Sequence, residues 1–149
     1  TLDHLLFLGL RRYEKKQPAS YVYFGIAVVL LFLLFPQQIA IPCILCASFT
    51  DPIMGETRHY FGKTKAYIIG FIVSLFFFCI TWYRADWWIL MLVSVIGAAG
   101  ALIGEAKKLR LIDDDFMIQI LPAILLLVLW QGLRFFGIEL LPPPLIHPL

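Results

Sequence analysis

Charge is scarce in this sequence. Of its 149 residues only 15% are charged, against about 25% in ordinary soluble domains, and 61% are hydrophobic, against about 45–50%. Mean hydropathy is +0.87, which excludes an ordinary water-soluble domain and points to an integral membrane protein. The formal net charge of +2 is too small to form the electrostatic footprint of a nucleic-acid binder, so no such partner is expected. Cysteine is scarce too: Cys43, Cys46 and Cys79 are an odd number, all inside apolar runs, and buried thiols are expected in place of a disulfide framework. Cys43-x-x-Cys46 lacks a second ligand pair, which favours packing over a metal or redox role. The three histidines, His4, His59 and His147, share no metal-ligand spacing, and only His59 is a candidate contact. No cleavable signal is legible in residues 1–16, where charges bracket a short apolar stretch. Thr1 stands where an initiator methionine would, so a processed or truncated product is expected.

Long apolar runs dominate what is present. Residues 1–17 carry apolar side chains at helical spacing but are too short and too charged to span, and they are expected to lie along the interface. Membrane spans are expected near residues 20–35, 39–55, 66–82, 87–104 and 116–136, followed by a stiff proline-rich tail at 141–149. The fold class that follows is an all-α integral membrane protein, a single domain of about five transmembrane helices in contact with the lipid bilayer. Tyr21, Tyr23, Trp87 and Trp88 mark interfacial belts. Gly97, Gly100, Ala101 and Gly104 form a small-residue face that lets a neighbouring helix approach closely. Pro52 disfavours helix at Asp51, so the second span is expected to break there.

The charges are not scattered. Residues 11–16, 58–65 and 107–110 hold ten of the twelve Lys and Arg residues, and five spans would put all three segments on one face together with the N-terminus. The positive-inside rule makes that face the cytoplasmic equivalent. Most acids collect there as well: Glu14, Asp51, Glu56, Glu105, Asp113, Asp114 and Asp115. Mixed carboxylates and cations at a membrane surface suit a nucleoside triphosphate held through Mg²⁺, which takes one or two carboxylates plus phosphate oxygens. Residues 47–65 concentrate this chemistry, and an ionisable group at a membrane boundary is a functional candidate by default. Acids at 113–115 also suit the start of a helix, where they meet free N–H groups and the positive end of the dipole.

Four blocks resemble the CTP-dependent membrane prenol kinases, the dolichol, phytol and farnesol kinases, which are distantly related to phosphatidate cytidylyltransferase. Glu14-Lys15-Lys16 precedes a span. Phe49-Thr50-Asp51-Pro52-Ile53-Met54-Gly55 runs on to Tyr60-Phe61-Gly62-Lys63 and is similar to the family's Gly-Asp-x-x-Ala block with its Phe-Gly-Lys loop. Glu105 ends a span, and Asp114-Asp115-Phe116-Met117-Ile118 resembles the Asp-Asn-Leu-Thr-Ile block. The resemblance implies transfer of the γ-phosphate of CTP to a long-chain isoprenoid alcohol. In that reading Asp51 is catalytic; Asp51, Glu56, Asp114 and Asp115 hold Mg²⁺; Lys15, Arg58, Lys63 and Lys65 bind phosphates; Glu14 and Glu105 are further candidates. The sequence departs from the family where Lys63-Thr64-Lys65-Ala66-Tyr67 lacks the Lys-Ser/Thr-x-Glu-Gly pattern, and at Thr50, Asp115 and Gln119. Those departures support the alternative of a catalytically silent relative serving as an accessory subunit of a larger membrane complex.

Overall fold

A computed structural model describes residues 20–106 and 114–146. Among the described residues five helices follow one another: α1 (Ser20–Leu34), α2 (Gln37–Phe61), α3 (Lys63–Thr81), α4 (Trp87–Ala106) and α5 (Asp114–Phe135). Among the described residues there is no strand, as a bilayer requires of any span that is not part of a barrel. Helices α2 to α5 are each long and apolar enough to cross a membrane. Helix α1 is apolar but has only 15 residues, about 22 Å of rise, so it is shorter than the hydrocarbon core of about 30 Å.

The expected break at Asp51 is absent: α2 runs as one helix of 25 residues with Pro42 and Pro52 inside it. It therefore extends past residue 55 to Phe61, and Glu56 and Arg58 lie on its last turns instead of in a loop. At Pro42 the neighbouring structure compensates for the lost backbone donor. A proline at 42 cannot bond the Gln38 carbonyl one turn back; the Trp82 indole Nε1–H donates to that carbonyl at 2.8 Å. Tertiary packing thus satisfies a backbone group that local propensity would leave open.

Short connections make neighbouring helices antiparallel. A single residue, Gly62, separates α2 from α3, and its φ of 88° lies where a side chain would be strained. Helix α5 ends in a Schellman arrangement around Gly137, φ 76°, with Ile138 N–H donating to Leu133 O and Gly137 N–H to Arg134 O, both at 3.0 Å. The tail then crosses back to the start of α2. There Gln37 donates to Ile146 O at 2.9 Å and accepts from Ile146 N–H at 3.1 Å, while Gln38 donates to Pro142 O at 3.1 Å.

Close helix approach follows the glycines. Met54 of α2 fills the notch at Gly70 of α3, and the Phe78 ring sits on Gly97 of α4. Gly100 and Gly104 bring α4 against the backbone of α5 at Pro122 and Met117. Trp82, Phe78, Leu31, Ile39, Met54, Ile118 and Leu126 are fully buried among these helices.

Candidate functional site

These contacts give the bundle two distinct ends. Gln37, Trp82, Pro142 and Ile146 meet at one, and Arg58 of α2 meets Glu105 of α4 at the other. The second end also contains the Gly62 junction and the first turn of α5, so it collects the chemistry that the charge pattern singles out.

Arg58 is its centre. The guanidinium Nη2 donates to Glu105 Oε1 at 2.5 Å; the Arg58 side chain is 35% exposed and that of Glu105 only 3%. The guanidinium also lies 5.9 Å from the centroid of the Tyr67 ring, a cation–π distance, and Asp51 is within its electrostatic range. Asp51 and Arg58 are seven residues apart, about two turns, so they share a face of α2 with Asp51 about 10 Å deeper along the axis. Glu56 is five residues from Asp51, about 140° round the helix, and is exposed on another face.

The contact between Arg58 and Glu105 is single. Arginine and a carboxylate commonly pair through two parallel bonds, yet here Arg58 Nε and Glu105 Oε2 are both buried with no hydrogen-bond partner among the described residues. On α5, Gln119 donates to Asp115 O at 3.0 Å, and its buried Oε1 likewise lacks a partner there. Gln119 follows directly on the Met117–Ile118 backbone against which Gly104 packs.

Lys63 and Lys65 stand exposed in the first turn of α3, Lys65 Nζ being 5.7 Å from the Phe61 ring centroid. His59 is exposed too and sits edge-on to Tyr60 at 5.1 Å. Asp114 and Asp115 occupy the first turn of α5, half-buried, and both, like Asp51, are engaged in interactions. Among the described residues no three His, Cys, Asp or Glu side chains gather as metal ligands, so Asp51, Glu56, Asp114 and Asp115 do not form one shell. Glu14, Lys15 and Asp113, with the basic residues at 107–110, lie outside the described residues.

A second polar cluster is buried between α2 and α3. The Cys46 thiol donates to the Ser74 hydroxyl at 3.1 Å and lies 3.5 Å from Thr50 Oγ1, and the two hydroxyls are 3.2 Å apart. Cys43 and Cys46 are buried free thiols. The i, i+4 spacing of Cys46 and Thr50 is legible in sequence, but their partner Ser74 is on another span. The same holds for Arg58 and Glu105, 47 residues apart.

No family model, curated protein or solved structure matches the chain.

Proposed function

We propose that this chain phosphorylates a long-chain isoprenoid alcohol at the membrane surface, with CTP as phosphate donor. The observation that carries the reading is the cationic rim at the Gly62 junction: Arg58, Lys63 and Lys65 within two helix turns, with Asp51 on the same face of α2 as Arg58 and deeper in the bundle. Cations at the rim suit phosphates arriving from water, and the Asp51 carboxylate, on the same face of α2, is the candidate catalytic group beside them. The phosphate-facing roles fall to Arg58, Lys63 and Lys65, with Lys15 joining them in the resemblance. The charge pattern supports placing this rim, the other basic loops and the N-terminus on the cytoplasmic-equivalent face.

Mg²⁺ belongs to the same reading, but the four expected carboxylates do not fit one inner shell of about 2.0–2.1 Å. The adjacent Asp114 and Asp115 match what Mg²⁺ needs alongside phosphate oxygens, namely one or two carboxylates. The reading is tested by phosphate transfer from γ-labelled CTP to a mixed prenol pool in lipid nanodiscs. Asp51→Asn, which removes charge and conserves shape, is expected to abolish transfer while leaving the helical circular-dichroism signal intact.

The missing Lys-Ser/Thr-x-Glu-Gly pattern at Lys63-Thr64-Lys65-Ala66-Tyr67 supports a second reading, a silent accessory subunit of a larger membrane complex. It is preferred if the wild-type chain shows no transfer and co-purifies stoichiometrically with other membrane proteins.

A further inference from the structure

A charge taken out of water is stabilised only when its remaining hydrogen-bonding positions are filled. Arg58 and Glu105 leave two of theirs empty: a donor, Nε, and an acceptor, Oε2, each one carbon away from the atom that makes the contact. The group that completes such a pair must accept from one atom and donate to the other. A hydroxyl does both through a single oxygen. Carboxylates and phosphate oxygens only accept, and ammonium groups only donate, so neither closes the ring.

We propose that the Arg58–Glu105 pair is a hydroxyl-binding site that takes the head of a lipid alcohol. The hydroxyl oxygen accepts from Arg58 Nε–H while its proton is donated to Glu105 Oε2. Position selects a lipid over a soluble alcohol. Glu105 lies in the last turn of an apolar span, at the level where a lipid's polar head gives way to its chain. A head group held here leaves an apolar chain to run along the length of the span. Arg58 is the partly exposed partner on a long side chain, so it is the member that moves aside to admit the hydroxyl. The buried Gln119 Oε1, on the neighbouring helix at the same end, is a further acceptor without a partner among the described residues. The substrate class rests on the phosphotransfer reading above; the hydroxyl geometry does not.

Water carries the same chemistry, so the test separates the two sources. The full chain in nanodiscs is photolabelled with a C15 alcohol bearing a diazirine beside the hydroxyl, and with its methyl ether, which keeps the acceptor and loses the donor. The alcohol is expected to bind about tenfold or more tightly than the ether, the loss of one hydrogen bond to a charged group. Its label is expected within residues 54–61 and 101–106. The double variant Arg58→Met/Glu105→Leu removes both charges together, and replacing a whole buried pair is usually tolerated; it is expected to unfold no earlier than wild type and to bind both probes equally. Equal labelling of wild type by the two probes means that water alone bridges the pair and overturns the proposal, and that comparison needs no variant. A preference that survives in the double variant overturns it too. Alcohol preference without CTP turnover keeps the hydroxyl site and removes the phosphotransfer reading; turnover with no alcohol preference does the reverse.

Discussion

Replacing Gly104 by alanine tests the packing that brings α4 and α5 together at the charged end. A Cβ at position 104 would stand 2.6 Å from Met117 O, 2.8 Å from Met117 C and 3.0 Å from Ile118 N. All three are backbone atoms, so no rotamer change relieves the clash. Restoring an ordinary carbon–oxygen contact of about 3.3 Å requires the helices to part by roughly 0.7 Å. That retreat also loosens Gly100, where a Cβ would lie 2.9 Å from Pro122 Cα. Overpacking of this kind costs about 1–3 kcal/mol, and the upper half applies because the obstacle cannot rotate. Alanine returns about 1 kcal/mol in helix propensity, leaving a net loss of about 1–2 kcal/mol. Gly25→Ala is the control: nothing lies within 4 Å of a Cβ there, so only the propensity gain of about 1 kcal/mol remains. Equilibrium unfolding in mixed micelles, followed by circular dichroism, measures both variants. The two are expected to differ by about 2–3 kcal/mol in opposite directions. A Gly104→Ala protein as stable as Gly25→Ala would refute the close-approach argument.

Further expectations concern buried hydrogen bonds. Trp82→Phe leaves the Gln38 carbonyl without its donor and is expected to cost about 1–3 kcal/mol; Pro42→Ala restores a backbone N–H at the right turn, so the double variant should recover part of the loss in a double-mutant cycle. Ser74→Ala removes the shared partner of Cys46 and Thr50, at a cost of about 0.6 and at most about 1.7 kcal/mol, the range for polar contacts inside membranes. Gln37→Ala releases the tail from α2, with about 1 kcal/mol of destabilisation and faster proteolysis within residues 138–146 as the readout.

The sequence alone determined the all-helical membrane class and the positions of the helices, because a bilayer forces every span to satisfy its own backbone and so writes each helix as an apolar run. Residues 66–82 and 87–104 nearly coincide with Lys63–Thr81 and Trp87–Ala106. The small face at 97–104 was also legible, since close approach needs glycine whatever the partner. Tertiary structure decided what no single span contains. Pro52 predicts interruption at Asp51, yet α2 runs whole through it, and at Pro42 the Trp82 indole, 44 residues downstream of Gln38, supplies the donor that the proline lacks. Glu56 reads as a neighbour of Asp51, yet helix continuity turns it to another face, and the partner of Arg58 is Glu105 instead. Among the described residues Arg58, Lys63, Lys65, Glu105, Asp114 and Asp115 lie toward one end of the bundle, as their places at the ends of apolar runs indicate. Which carboxylate meets which cation depends on helix rotation and distance of approach, set here by Gly62, Gly70 and Gly104, and those are properties of pairs of helices.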